Sequence, residues 1–266
     1  MRRSLFAVFA VTAFAATALA GCSPAAPEAA APSYAPAQYM TAINDIARGA
    51  DKEKDAARLP GELLAFAQID TGEMVGDYIM GGGYVTRLLA MAVGAEGKVY
   101  AFQPAEFIAF RPEYAAEQDA AVAPYSNDDG TPHQVLPLRG PIAAPGFPVP
   151  LDTIITVMNL HDLFIPQMPA GTAPAAIKAL YDALKPGGTL VVVDHVAADG
   201  GGLAAAGTLH RMDRALALAA LTEAGFVLEE ESNLYARPDD PHTANVFDPA
   251  IQGKTDQFAW RLRKPG

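Results

Sequence analysis

Two histidine–aspartate pairs are the most chemically capable groups in the chain: His161-Asp162 and Asp194-His195. Each follows an apolar, β-branched run, Asp152 to Met158 and Thr189 to Val193, of the kind that forms strands buried on both faces. If those strands are neighbours in a parallel sheet, both pairs stand on one rim, and His210 and Arg211 can reach the same cleft. Three kinds of role suit such a group. His161 or His195 can act as a general base toward a nucleophile, with Asp194 beside it. His161, Asp194 and His195 or His210 have the residue types of a divalent-metal site. Alternatively, these residues cap helices and tie loops, as Asp162 would at the start of a short helix. A further polar feature is Asp77-Tyr78-Ile79-Met80-Gly81-Gly82-Gly83-Tyr84. There an acidic strand end leads into glycines, where backbone can approach a ligand and the next helix offers free amides.

The surrounding elements decide whether these groups meet. Met74 to Ile79 reads as a strand. Val85, Leu88, Leu89 and Ala92 recur at helical spacing, and Lys98 to Phe102 reads as a second strand. That order is one βαβ unit, which requires parallel pairing and a right-handed crossover. His133 to Leu138 is a third strand, and the runs before the histidine pairs are the fourth and fifth. A helix over Pro174 to Leu184 stops at the turn Lys185-Pro186-Gly187-Gly188. Leu209, Met212, Leu216 and Ala219 place another helix, with His210 and Arg211 at its start. Val227 to Leu234 and Gln257 to Leu262 alternate as a closing antiparallel pair. Residues 37–68 read as helical, with Pro60 opening a helix over Gly61 to Phe66 and residues 51–55 as a solvated charge run. Residues 105–130 read as one helix and a polar loop. The sum is an α/β domain: an open, mostly parallel sheet covered on both faces, with ligands expected at the carboxyl ends of its strands.

The glycine turn, with Asp77, Gly81 and Gly83, resembles motif I of the class I S-adenosylmethionine-dependent methyltransferases, although Ile79 stands where that motif usually has glycine. Over residues 40–265 the chain is similar to a bacterial group of predicted methyltransferases. The likeness rests on Tyr84 and Thr86 after the glycines, on Asn159-Leu160-His161-Asp162, and on Leu184-Lys185-Pro186-Gly187-Gly188 leading to Val193-Asp194-His195. It extends to Ala224-Gly225-Phe226, Lys254 to Phe258, and Arg263-Lys264-Pro265. This resemblance implies a Rossmann-like seven-stranded methyltransferase sheet, mostly parallel with an antiparallel last strand. It implies S-adenosylmethionine as cofactor, held by Asp77, Gly81, Gly82, Gly83, Tyr84, Gln103 and Asn159. It also implies His161, His195 and Asp194 as catalytic residues beside a small-molecule acceptor. Methyltransferases of this kind usually end the second strand in Asp or Glu, which bonds both ribose hydroxyls. Here that place holds neutral Gln103, with Glu106 three residues on. A chain that keeps the fold but has lost catalysis would instead be a binding protein of the cell envelope, and the histidine cluster with a metal would make an envelope metalloenzyme.

Composition narrows the partners. The formal charge is −11, which repels nucleic acid and anionic head groups. The sequence shows neither a Gly-x-Ser-x-Gly elbow nor a Walker loop. Cys22 is the only cysteine, so a thiolate metal cluster and a disulfide framework are excluded. It follows Arg2-Arg3, an uncharged apolar run from Leu5 to Ala20, and Leu19-Ala20-Gly21, which resembles a bacterial lipobox. The expected organisation is a signal peptide over 1–21, an Ala- and Pro-rich tether over 22–36, and one domain over 37–266. A lipid on Cys22 would be its only membrane contact, leaving a periplasm-facing lipoprotein of the cell envelope.

Overall fold

The computed structural model describes residues 33–266, so the expected signal segment, Cys22 and most of the tether lie outside it. Seven strands form one sheet: β1 (Met74–Tyr78), β2 (Lys98–Pro104), β3 (Val135–Gly140), β4 (Leu151–Val157), β5 (Leu184–His195), β6 (Val227–Ser232) and β7 (Gln257–Arg263). Their order is β3-β2-β1-β4-β5-β7-β6. Strands β1 to β5 pair in parallel, and β7 runs antiparallel to both β5 and β6. This is the expected Rossmann-like sheet of the methyltransferase type. The strand order reverses direction at β1 and β4, so a crevice at their carboxyl ends is where a ligand belongs.

Alternation along the central strands builds two cores. Leu190 and Val192 face one side of β5, Val191 and Val193 the other, and all four are fully buried. On one side, Val75, Val99 and Ile155 pack with Leu88, Leu89 and Ala121 from α4 (Tyr84–Ala92) and α6 (Glu113–Val122). On the other side, Ile154 and Trp260 pack with Ile177, Leu180 and Leu221 from α7 (Thr172–Ala183) and α9 (Arg214–Glu223). Burial on both faces explains why β4 and β5 read as unbroken apolar runs rather than alternating ones.

Four expectations need correction. Residues 37–68 are not one helical stretch. They break into short 3-10 turns and the helices α1 (Met40–Asn44), α2 (Asp55–Arg58) and α3 (Pro60–Ala67). The charge run 51–55 is not simply solvated: Asp51 is buried on Arg87, and Asp55 pairs with Arg48. Residues 105–122 hold two helices, α5 (Ala105–Phe110) and α6, rather than one. The helix expected through Leu209 and Ala219 is also two, α8 (Gly202–Leu209) and α9. His210 ends α8 in a left-handed conformation (φ 53), and Asp213 caps α9 by accepting from Ala215 and Leu216. Apolar spacing alone cannot register that break, because Asp213 is a stronger start signal than the stripe is a continuity signal.

The long connection 233–256 between β6 and β7 has no regular element and is held instead by a buried ion pair. Arg211 grips Asp240 through two bonds of 2.8 and 3.0 Å, and it donates to Val196 O and Ala244 O at 2.9 Å each. Asp240 also accepts from the amides of His242 and Asp256. At the opposite end of the sheet, Tyr34 and Arg263 line one open hollow of about 260 Å³ beside Asp70, Glu73 and Asp152. Among the described residues no helix is long and apolar enough to cross a membrane.

Removing one partner of a fully buried pair strands the other charge, which costs about 3–5 kcal/mol. Asp240→Ala is therefore expected to lose that much stability in urea denaturation. The double variant Arg211→Met with Asp240→Leu should recover only the part due to the stranded charge, because the amides of His242 and Asp256 and the carbonyls of Val196 and Ala244 also lose their partners. A loss below about 1 kcal/mol in the single variant would show that the pair does not hold the connection.

Candidate active site

The chain leaves β4 through Met158, whose backbone is left-handed (φ 62) and whose N–H donates to Val193 O at 2.6 Å. This reversal carries Asn159 toward β1 and a 3-10 turn, His161–Phe164, toward β5. Asn159 Nδ2 donates to Ile79 O at 3.0 Å and to Val157 O at 2.7 Å, which locks the end of β4 to the glycine turn.

Asp194, the penultimate residue of β5, is fully buried and organises the histidines. Its Oδ2 accepts from the His161 backbone N–H at 2.7 Å. Its Oδ1 lies 2.8 Å from both His161 Nδ1 and the His195 backbone N–H. His195 turns its own Nδ1 to Thr255 Oγ1 at 2.8 Å. His161 Nε2 points the other way, 3.5 Å from Asp162 Oδ1, and its ring stands edge-on to His210 with centroids 5.4 Å apart. Exposed Phe247 covers the outer face of His210 at 4.8 Å.

Electrostatics separates these groups. Burial alone would lower the His161 pKa, but the charge and hydrogen bond of Asp194 override it and raise it to about 9. Burial sets His195 at about 4, and burial followed by the His161 charge lowers His210. Burial raises Asp162 to about 6. Asp194 is lowered despite burial because His161 compensates it. Asp194 thus favours the protonated form of His161, while burial favours the neutral form of His195.

The glycine turn is equally tied down. Ile79, Gly81 and Gly83 all have left-handed backbones (φ 63, 53 and 82). A β-branched residue there is a genuine outlier, and with Met158 and His210 three such non-glycine residues start or end the loops of this rim. A Cβ on Gly83 would come within 2.5 Å of Ala121 Cβ, so that glycine is needed for helix packing. A Cβ on Gly81 would meet nothing within 4 Å, so Gly81 fronts open space. Asp77 does not face outward. It is buried and accepts from Thr86 Oγ1 at 2.6 Å, so it braces the turn instead of receiving a ligand ammonium. Tyr84 is buried, donates to Asp55 at 2.7 Å, and carries Arg58 over its ring. Arg87 joins Gly82 O to Asp51. Glu106 is engaged by the Ile142 amide at 2.9 Å and is not a substitute for the residue at the end of β2. Gln103 itself is fully buried, yet neither its Nε2 nor its Oε1 has a partner.

His161, Asp194, His195 and His210 therefore converge as expected, and Asn159 joins them to Ile79 beside Gly81. His161, Asp194 and His195 are buried there, and His210 is half-buried. Within the expected metal set, Asp194 and His195 are engaged elsewhere, and the group that converges is His161, Asp162 and His210, with donor atoms within 4.8 Å of one another. Sequence reasoning gave no role to Thr86 or Thr255. Thr255 was legible only as part of Lys254-Thr255-Asp256, just ahead of the strand that pairs with β5.

No protein-family model matches the chain, and no curated protein does. Solved structures do match in fold. An S-adenosylmethionine-dependent methyltransferase from Aquifex aeolicus superposes with a TM-score of 0.54 at 19% identity, covering 86% of this chain and 98% of that one. The [4+2]-cyclase SpnF superposes with a TM-score of 0.54 at 17% identity, covering 79% and 81%. The chain thus has the methyltransferase fold, and that fold also serves a cyclase, so the reaction has to be argued from the site.

Burial raises the Asp77 carboxyl to about 6. The folded state therefore holds its proton more tightly than the unfolded state, and this group's contribution to stability falls as pH rises from about 4 through 6. Asp77→Asn keeps an acceptor for Thr86 and removes the buried charge. It is expected to raise stability at pH 7 by on the order of 2 kcal/mol and to flatten the pH profile of thermal melting between 4 and 6. A variant less stable than wild type at pH 7 would show that the charge supports the turn.

Proposed function

We propose that the chain is a methyltransferase that uses S-adenosylmethionine to modify a small molecule. The observation that carries this reading is Gln103. Its amide is sealed inside the protein with both polar atoms unpaired, at the end of the strand next to the glycine turn. An orphaned buried amide costs roughly 1–3 kcal/mol, so a donor–acceptor pair kept there calls for a ligand with complementary groups. Two neighbouring ribose hydroxyls are such groups. The cofactor, when bound, supplies a sulfonium-activated methyl group.

The chain's own residues supply position. Gly81 leaves room for a ligand to lie against the backbone. Asp77, through Thr86, keeps the turn in shape, and Asn159 fixes the distance from that turn to the histidines. His161, oriented by Asp194, presents Nε2 beside Asp162 and His210 on the side where an acceptor's nucleophilic atom would rest. Alignment is most of what methyl transfer needs from a protein. Exposed Phe247, packed on His210, favours an acceptor with an apolar or aromatic body.

Calorimetric titration of the full chain with S-adenosylmethionine tests the cofactor. One site is expected, weakened about 5- to 10-fold by Gln103→Leu, which removes the paired groups without shrinking the side chain much. Heat-silent mixing at millimolar ligand in a folded sample would end this reading. Transfer of a labelled methyl group to a panel of small phenols, thiols and amines tests the rim. His161→Ala should reduce turnover at least about 100-fold while changing cofactor affinity less than about threefold. An unchanged rate would return His161 to a purely structural role.

A further inference from the structure

We infer that His161, Asp162 and His210 form a binding site for one divalent first-row metal ion. This inference rests on the proposed function only for where the acceptor would lie, not for the ion itself. The three donor atoms, His161 Nε2, a carboxylate oxygen of Asp162 and a ring nitrogen of His210, lie within 4.8 Å of one another. The His161–Asp162 separation is 3.5 Å. Ligands about 2.0–2.1 Å from a tetrahedral ion stand roughly 3.3 Å apart, so that pair is already spaced for it. His210, at the half-exposed end of α8, supplies the third donor.

The surroundings have the features that metal sites require. A ligating histidine almost always gives its other ring nitrogen to a carboxylate, which fixes the tautomer and raises the ring's basicity. Asp194 does this at His161 Nδ1 from 2.8 Å, and its second oxygen is anchored by the His161 amide. His210 is held at its angle by a left-handed backbone and by Phe247. Two imidazoles and one carboxylate make the mixed nitrogen–oxygen set that suits Zn²⁺, Co²⁺ or Fe²⁺ rather than Ca²⁺ or Mg²⁺. Charge also balances. With His161 unprotonated at Nε2, Asp162 and Asp194 carry two negative charges in a buried pocket, and a dication neutralises them. The ion takes the place of the Nε2 proton, which leaves to solvent. Three protein ligands would leave a coordination position open. An acceptor hydroxyl or thiol bound there would be acidified by the ion, so the imidazoles need not act as free bases.

The test uses the full chain, stripped with a chelator and titrated with Co²⁺ in the absence of S-adenosylmethionine. The expected result is one ion per chain, with visible ligand-field bands of a four- or five-coordinate nitrogen–oxygen site that Zn²⁺ bleaches in competition. Asp162→Asn and His210→Asn should each weaken binding at least about 100-fold. Asparagine tolerates the left-handed backbone at 210, so that variant keeps the turn. Asp194→Asn should cost about 10- to 100-fold. His242→Gln, at a surface histidine bonded to Asp256, should change nothing. Circular dichroism shows which variants remain folded, and the two half-buried positions decide the matter. Absence of Co²⁺ binding at millimolar ion, or binding that both Asp162→Asn and His210→Asn leave unchanged, overturns the site. Because the cofactor is not in the titration, the metal site and the cofactor reading fail separately.

Discussion

The rim depends on one buried carboxylate. Asp194 sits at the end of a central strand and receives two backbone amides and one imidazole nitrogen. A carboxylate fully removed from water is costly unless it is compensated, and the compensation here comes from the loop after β4 and from its own strand end. The same bonds that make the charge tolerable fix the position of His161 and the course of the chain after His195. Met158 follows from this arrangement, because its left-handed turn is the way the chain can leave β4 and still lay an amide on Asp194. Asn159 then passes the constraint on to the glycine turn. The arrangement of the histidines at this rim is thus a by-product of burying a negative charge.

Much of the scaffold was legible because it rests on patterns with strong physical causes. Runs such as Ile154-Ile155 and Leu190 to Val193 are apolar on both faces since both faces are covered, and parallel pairing follows. The closing antiparallel pair was visible in the alternation around Trp260. The adjacency of β4 and β5, from which the meeting of His161 and His195 follows, came with the topology. What escaped was local. The break between α8 and α9 turns on Asp213 competing with an apolar stripe that continues through it. The segment before β1 fragments because Arg48, Asp51 and Asp55 find partners on α4 and on one another, and such long-range pairs leave no periodic trace.

The site was half legible for the same reason. Residue types announced that His161, Asp194, His195 and His210 belong together, but not which atoms face which. Asp194 is wholly buried and bonded to His161 and to the backbone, whereas Asp162 lies beside His161 Nε2. Asp77 carries the motif's charge, yet Thr86 engages it. Gln103, which looked like a weakened substitute for an acid, proved to be a buried amide with two idle atoms. Hydrogen-bond partnership is a property of packing, and it is read from distances rather than from spacing along a chain.

Tyr34 and Arg263 border the same hollow, beneath the starts of the parallel strands and at the opposite end of the sheet from His161. A bead, a fluorophore or a fused domain coupled near either residue would therefore hang from the floor of the molecule. The carboxyl ends of the strands would stay unobstructed, which makes both points practical handles for immobilising the protein.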